Sequence, residues 1–134
     1  LMINKNKISK IDHYIWWFSN DRKNFLYNKD NTPSIYFWHK KILINNQFFF
    51  IGGWSLNSNN VSAWDIYKML CWQLNKTKIY KKSKWIAVIN KKNKFVLKLN
   101  LYLGFKIAKK NSYLYTIIKN YFKVSKSDFY FLHR

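Results

Sequence analysis

The segment from Lys84 to Ser112 constrains the fold most, because its periodicity changes from strand to helix and back. Trp85–Ile89 is a β-branched and aromatic run, which predicts a strand ending at an Asn-Lys-Lys-Asn turn. From Asn93 apolar residues recur at helical spacing, and Gly104 stands where a left-handed residue would end the helix. Phe105 then begins another extended run. The segment predicts a strand–helix–strand unit with a helix of about three turns.

Three strands are predicted upstream, over Lys23–Asn28, Ser34–Ile44 and Gln47–Leu56. A turn cluster at Asn28–Pro33 separates the first two, and Asn45-Asn46 suits a tight hairpin because asparagine tolerates positive φ. Downstream, the pattern predicts a terminal hairpin whose two strands, Lys106–Lys109 and Tyr113–Lys119, meet at Asn111-Ser112.

Two capping boxes predict helix starts. Ser9 and Asp12 open a helix with Ile11, Tyr14, Ile15 and Phe18 on one face, and Ser62 and Asp65 open one that continues to about Asn75. The predicted buried face of the second helix consists of Ala63, Ile66, Tyr67, Leu70, Cys71 and Leu74. We therefore expect an α/β (α+β) chain, with a mixed, mostly antiparallel sheet flanked by helices in a single domain spanning 1–134.

The helix after Asn93 resembles the penultimate helix of the GNAT superfamily of N-acetyltransferases, N-x-x-A-x-x-L-Y-x-x-x-G-F. Asn93, Leu99, Gly104 and Phe105 match, Val96 replaces the alanine, and Asn100 replaces the tyrosine. The early run ISKIDHYIWWFSN resembles the aminosugar-acetyltransferase branch. Because the family's first strand and helix have no counterpart here, the resemblance implies an N-terminally truncated version of the fold.

The resemblance implies a splayed parallel strand pair that holds acetyl-CoA. The strand ending at Ile51, Gly52, Gly53 and Trp54 would bind it through backbone N–H groups, which also stabilise the oxyanion. Glycine inside a strand indicates a bulge or a close backbone approach.

The family's pyrophosphate loop precedes a helix N-terminus and reads Q/R-x-x-G-x-G/A, whereas this chain has no glycine between Ser55 and Ser62. The implied phosphate-binding residues are Asn59, Asn60, Val61 and Ser62, with the asparagines replacing glycine through left-handed conformations. Asp65 would repel a pyrophosphate if it faced this loop. Asn93 and Asn100 complete the implied cofactor contacts.

His39 is the best candidate for a general base, although an isolated histidine is more often structural. Asn100 occupies the position of the family's acid but cannot donate a proton at neutral pH, which leaves Tyr102 as the fallback. Trp38 and Trp54 are candidates for an acceptor pocket, since indole rings suit a sugar. The implied reaction is acetyl transfer from acetyl-CoA to the primary amine of a small molecule, an aminosugar among the candidates.

The formal charge of +20 supports an alternative. All but two of the 25 basic residues are lysines, which favours an A/T-rich coding sequence and a solvated surface over an arginine-rich nucleic-acid reader. A small basic RNA-binding or ribosome-associated protein stays open, as does a non-catalytic GNAT-like module. The lone cysteine, Cys71, excludes an intrachain disulfide, and we expect no metal, no membrane span and a cytoplasmic protein. The oligomeric state stays undetermined.

Overall fold

Two tight turns organise the first three strands in the computed structural model, which describes Ile11, residues 21–78 and residues 83–134. Strands β1 (Lys23–Lys29) and β2 (Thr32–Ile44) are joined by Asp30-Asn31, and β2 is joined to β3 (Gln47–Leu56) by Asn45-Asn46. All four turn residues have φ between 50° and 61°, the left-handed pair that a two-residue hairpin requires. The predicted strands and hairpin are confirmed.

Helix α1 (Ala63–Thr77) begins at the predicted capping box, with Ser62 as N-cap and Asp65 bonded back to it. Its buried face is rotated from the predicted one. Asp65, Met69, Gln73 and Thr77 are buried beside Ile66, Leu70 and Leu74, whereas Ala63, Tyr67 and Cys71 are exposed or half-buried. The prediction was wrong for those three positions because it ranked residues by apolarity, and polar residues of α1 face the sheet instead.

The predicted strand–helix–strand unit is present as β4 (Lys84–Asn90), α2 (Lys94–Tyr102) and β5 (Lys106–Ile107). Gly104 has φ +92° and follows the helix as predicted. The amide of Phe105 donates to the carbonyl of Asn100 at 3.0 Å, and Nε of Arg134 donates to the carbonyl of Leu103 at 2.8 Å. The last turn of α2 is therefore closed by a left-handed glycine and by the C-terminal arginine.

The predicted terminal hairpin is wrong in its second strand. Residues Tyr113–Phe122 form helix α3, with the Ser112 side chain accepting from the amide of Tyr115. Asn111 is left-handed, but it leads into a helix rather than a hairpin. Strand β6 (Phe129–His133) pairs with β5 in place of the predicted second strand. Residues Tyr113–Phe122 instead bury Ile117 and Ile118 on one face of helix α3.

The described strands form one sheet in the order β1-β2-β3-β4-β6-β5. All neighbours are antiparallel except β3 and β4, which are parallel. One core cluster packs α1 and α2 on one face, and a second packs α3 on the other. This is the predicted fold class, a mixed sheet between helices.

Two further expectations concern the N-terminal segment and the length of the helices. The helix predicted to begin at Ser9 lies outside the described residues, apart from Ile11, which is helical and exposed. Among the described helices, none combines the length and the apolar character needed to cross a bilayer.

Candidate functional site

Strands β3 and β4 separate almost as soon as they meet. They pair at only two positions, Phe49 with Lys84 and Phe50 with Trp85. Beyond these, β3 continues to pair with β2 and β4 pairs with β6. Gly52 lies two residues past the last shared position and is exposed, although β3 is an interior strand. The predicted splayed parallel pair is therefore present and opens at Gly52. We call the gap between the diverging strands the wedge.

The register shows which β3 peptide groups face the wedge. Asn57 donates to the carbonyl of Ser34 at 2.9 Å, in the same register that continues without a shift along β2 and β3. Because hydrogen-bonded and non-hydrogen-bonded pairs alternate in an antiparallel ladder, Gly53 and Ser55 bond to β2. The N–H and C=O groups of Gly52 and Trp54 consequently point away from β2 and into the wedge.

The same reasoning applies to β4. Trp85 and Arg134 exchange both of their backbone hydrogen bonds at 2.9 Å, and the backbone amide of Lys91 donates to the carbonyl of Asp128. The odd-numbered residues of β4 therefore bond to β6, and the N–H and C=O groups of Val88 face the wedge, whereas the Asn90 carbonyl accepts from the amide of Asn93 at 2.8 Å. Both walls thus present backbone donors and acceptors that no strand ladder uses.

The two glycines of β3 are needed for different reasons. A Cβ on Gly52 would lie 2.6 Å from the carbonyl oxygen of Trp38 and 3.0 Å from the Trp85 ring. A Cβ on Gly53 would meet only the indole of Trp38, at 2.9 Å from Nε1. Because the β2–β3 register contains no bulge, the close approach expected for these glycines, rather than a bulge, accounts for them.

The narrow end of the wedge is covered on the α1 face by Trp85. Its ring stacks on Phe50, with centroids 5.6 Å apart, and its Nε1 donates to Oγ1 of Thr77 at 2.9 Å. Gln73, one turn earlier on α1, donates to the carbonyl of Trp38 at 3.0 Å. These two contacts were not predicted from the sequence. Ile66, Gln73 and Thr77 lie on one face of the helix by their spacing, and this is the signal that Gln73 and Thr77 are buried.

The glycine-free loop before α1 is held by side chains. Asn57 Nδ2 donates to the carbonyl of Pro33 at 3.1 Å, Ser58 Oγ accepts from the amide of Asn60, and Lys29 Nζ donates to the carbonyl of Asn60 at 2.8 Å. Within this described loop, residues 57–62 all lack a positive φ. The expected left-handed conformation of Asn59 and Asn60 is therefore wrong, because these contacts shape the loop without it.

The first turn of α1 keeps two amides that have no acceptor within the helix, those of Ala63 and Trp64. Both side-chain and backbone donors of Ser62 are used within the capping box. Its amide and its hydroxyl both donate to Asp65 Oδ2 at 2.8 Å. The capping box therefore uses the Ser62 donors and leaves the next two amides without an acceptor in the helix.

Asp65 is buried, and its charge is balanced by a cation from another element. Lys29 Nζ lies 2.8 Å from Asp65 Oδ2, and Tyr27 also donates to this carboxylate. The hydrogen bond from Lys29, followed by those from Ser62, lowers the pKa of Asp65 below its usual range. The paired carboxylate stays ionised, and its repulsion of an anion at the helix start is reduced by Lys29.

His39 lies opposite Gly52 on β2, with its side chain on the α1 face among aromatic rings. Its ring centroid is 5.0 Å from Phe25 and 5.8 Å from Phe50, and Gln73 Nε2 lies 3.5 Å from Nδ1. Burial lowers the pKa of His39 to about 4, with Lys23 adding to the effect. The imidazole is neutral at pH 7 and is a weak base.

The residues that carried the resemblance on α2 serve the helix itself. Asn93 Oδ1 accepts from the amide of Val96 at 3.2 Å, and Asn100 Nδ2 donates to the carbonyl of Val96 at 2.8 Å. Tyr102 is 79% exposed, and its ring centroid lies 5.7 Å from that of Tyr67 on α1. The structure therefore does not bring Asn100 and Tyr102 together at one site.

Trp38 and Trp54 lie on opposite faces of the sheet. Trp54 packs with Phe37 against the α1 side, whereas Trp38 packs with the α3 side and lies over Gly53. The two residues of a cross-strand pair lie on the same face of a sheet, and successive pairs alternate between the faces. Trp38 and Trp54 belong to successive pairs, so the prediction that both line one acceptor pocket is wrong.

Comparison with known proteins agrees with this architecture. No protein-family model matches the sequence, and no curated protein sequence matches it. Solved structures do. A ribosomal-protein-alanine N-acetyltransferase from Brucella melitensis is 12% identical with a TM-score of 0.67, covering 99% of this chain and 82% of that one.

Two other structures have the same fold. The Campylobacter jejuni N-acetyltransferase PseH in complex with acetyl coenzyme A is 17% identical with a TM-score of 0.58, covering 93% of this chain and 74% of that one. A GNAT-family acetyltransferase from Streptococcus pneumoniae is 9% identical with a TM-score of 0.60, covering 95% and 76%. The chain therefore has the fold of the GNAT-family N-acetyltransferases.

Proposed function

We propose that this chain is an N-acetyltransferase that moves the acetyl group of acetyl-CoA to the primary amine of a small molecule, with aminosugars as the acceptor class. The observation that carries the proposal is the wedge, with an exposed glycine in the middle of an interior strand. An extended amide-containing arm placed there meets the peptide groups of Gly52 and Trp54 on one side and of Val88 on the other.

The walls of the wedge fit such a ligand in two respects. The absence of a side chain at Gly52 leaves room where a Cβ would collide with backbone, and the peptide groups there supply hydrogen bonds in the manner of an added strand. At the wide end, the amides of Ala63 and Trp64 and the positive end of the α1 dipole suit a pyrophosphate. Asn59 and Val61 are proposed to contribute through their backbone at this loop, and Asn60 through its side chain, because its amide and carbonyl are already bonded to Ser58 and Lys29.

In this mechanism the chain acts mainly by positioning and by backbone hydrogen bonds. The thioester supplies the acetyl group when acetyl-CoA is bound, and the amide of Gly52 or Trp54 stabilises the negative charge that develops on the carbonyl oxygen. His39 is proposed as the proton acceptor, since it is neutral at pH 7 and adjacent to Gly52 in the register. Its lowered pKa makes the driving force small, so we expect a modest contribution.

A protonating acid is the weakest part of the site. Asn100 is bonded to its own helix, and Tyr102 faces solvent near Tyr67. Of the two assigned positions only Tyr102 carries a proton that can be transferred, and Asn100 is left as a hydrogen-bond donor. We expect a slow enzyme rather than an inactive one, because the CoA thiolate is a reasonable leaving group.

Two readouts test the proposal. Acetyl-CoA should raise the melting temperature by mass action, and incubation with a panel of primary amines that includes aminosugars should release free thiol in proportion to acetylated product. Desulfo-CoA provides the control for binding without transfer. Stabilisation without thiol release for any amine would support the non-catalytic module, whereas absence of any shift would overturn the assignment of the wedge.

The RNA-binding alternative predicts a different pattern, namely salt-dependent binding of RNA with no response to acetyl-CoA. The three structures with the same fold are acetyltransferases, which favours the first proposal.

A further inference from the structure

Three aromatic side chains form a continuous strip that joins α1 to α2. Trp64, in the first turn of α1, stacks on Tyr67, with ring centroids 5.1 Å apart and an angle of 20° between the planes. The ring centroid of Tyr67 is 5.7 Å from that of Tyr102, the last residue of α2. Trp64 is 63% exposed and Tyr102 is 79% exposed. We call these three residues the aromatic strip, and it presents to solvent an indole that Tyr67 supports from one side.

The fold does not require the Trp64 ring. Helix α1 is attached to the sheet by Ile66, Met69 and Leu70, which belong to the first core cluster, whereas Trp64 is largely in solvent. Single exposed apolar residues are ordinary, but exposed rings in contact with one another form a patch, and such patches mark binding surfaces. A ligand therefore explains the aromatic strip better than folding does.

The position of Trp64 connects the aromatic strip to the wedge. Its backbone amide is one of the two α1 amides without an acceptor in the helix. If the pyrophosphate of acetyl-CoA meets that amide while the pantetheine arm enters the wedge, the adenosine, which is bonded to the other end of the pyrophosphate, must lie outside the wedge. It then lies within about one ribose of the Trp64 amide. The indole attached to the same residue is within this reach.

The surroundings of the aromatic strip favour an anionic ligand. The carboxylate of Asp65, next to Trp64 in sequence, is buried and its charge is balanced by Lys29 of β1. Helix α2 contributes Lys94 and Lys98 and contains no acidic residue. Indole rings stack on nucleobases of any sequence, because every base has a π face. A purine that carries phosphate groups fits both the charge and the rings.

We propose that the aromatic strip binds the adenine ring of acetyl-CoA, which stacks on the open face of Trp64. Tyr67 is a positioning residue that keeps the indole in place, and Tyr102 supports Tyr67 from α2. The inference rests on the proposed function, since it requires the pyrophosphate at the start of α1. Stacking supplies affinity beside a loop in which the amides of Asn57, Asn60 and Ser62 are already bonded within the chain.

Isothermal titration with two ligands tests the inference. Acetyl-CoA carries the adenine, whereas S-acetyl-4′-phosphopantetheine has the same arm without the nucleoside. Trp64→Leu retains apolar bulk and removes the π face, so we expect the affinity for acetyl-CoA to fall about tenfold, within the range that the stacking of one base contributes. The affinity of this variant for S-acetyl-4′-phosphopantetheine should stay within about twofold of the parent chain.

The matched control is Trp72→Leu, which removes another partly exposed indole from the same helix. Trp72 is 40% exposed and packs edge-on against Phe25 of β1, with ring centroids 5.1 Å apart. This variant should bind both ligands within about twofold of the parent chain. The melting temperature of each variant without ligand shows that it is folded.

A fluorescent analogue reports the ring contact directly. The emission of 1,N6-etheno-CoA should be quenched on binding to the parent chain and to Trp72→Leu, because its base stacks on Trp64, and this quenching should be lost in Trp64→Leu. Unchanged quenching in Trp64→Leu, or an equal loss of affinity for both titrated ligands, would overturn the inference and leave the proposed function standing. Failure of the parent chain to bind either titrated ligand would overturn both.

Discussion

Lys29, the last residue of β1, places its Nζ 2.8 Å from Oδ2 of Asp65 in the first turn of α1. The same ammonium donates to the carbonyl of Asn60, so one side chain joins a strand, a loop and a helix start. These contacts hold a loop that contains no glycine.

We predict that Lys29→Gln and Asp65→Asn are strongly non-additive. Either single variant breaks the ion pair and lowers the melting temperature, and the double variant loses less than the sum of the two, because the shared pair is lost only once. A double-mutant cycle by urea denaturation measures the coupling. Lys68→Gln is the control, since its ammonium lies farther from Asp65, at 3.9 Å. Additive losses would contradict a coupled pair.

The pH dependence of this pair has a definite sign. The pKa of Asp65 in the folded chain is below its ordinary value of 3.8, so the carboxylate stabilises the fold above about pH 4 and this contribution is lost as the pH falls further. Asp65→Asn should therefore be less sensitive than the parent chain to acidification below pH 4, measured by the unfolding free energy.

Gly52→Ala and Gly53→Ala should differ although the residues are adjacent. The new Cβ at Gly52 meets a backbone oxygen at 2.6 Å, and we expect a destabilisation of about 1–3 kcal/mol together with weaker acetyl-CoA binding. At Gly53 it meets an indole that can move, so the loss should be smaller. Equal effects in thermal denaturation would show that the β2–β3 approach at Gly52 is not limiting.

Thr77→Val removes the acceptor for the Trp85 indole and leaves a buried N–H unsatisfied. We expect a loss of about 1–3 kcal/mol in unfolding free energy. Adding Trp85→Phe to Thr77→Val should cost less than Trp85→Phe costs alone, because the indole no longer has a partner to lose. Thr116→Val is the control, as its exposed hydroxyl donates only to the carbonyl of Ser112.

His39 should make the chain less stable in mild acid. Its folded pKa is about 4 against an ordinary 6.5, so the unfolded chain binds more protons between these values and stability falls as the pH drops from 6.5 towards 4. His39→Phe should reduce this slope, measured by urea unfolding at pH 7.5 and pH 5. His133, whose pKa is also lowered, contributes in the same direction, so His133→Asn provides the comparison.

Local signals predicted the fold well where they were unambiguous. Asn45-Asn46, the Ser62–Asp65 capping box and Gly104 each permit few backbone conformations, and each is found as expected. The run from Tyr113 to Phe122 fits both a strand and a helix, and tertiary packing against the second core cluster decides between them.

The site was harder to predict because its key contacts join distant segments. Gly52 was identified because it is a glycine inside a predicted strand. The atom that leaves no room for a side chain there is the carbonyl oxygen of Trp38, and its closeness depends on how β2 and β3 are aligned. Lys29 gave no local signal of its contact with Asp65, 36 residues away. Gln73 and Thr77 were overlooked because a polar residue on a helix is usually exposed, and only the shared helical phase shows otherwise.

Because β3 and β4 pair at only two positions, the sheet consists of two halves, β1-β2-β3 and β4-β6-β5, which are joined at that pairing. Helix α1 contacts both halves. Gln73 donates to the carbonyl of Trp38 on β2, and Thr77 accepts from the indole of Trp85 on β4. Because one helix contacts both halves, we expect substitutions on its buried polar side to change the separation of β3 and β4 without altering either strand.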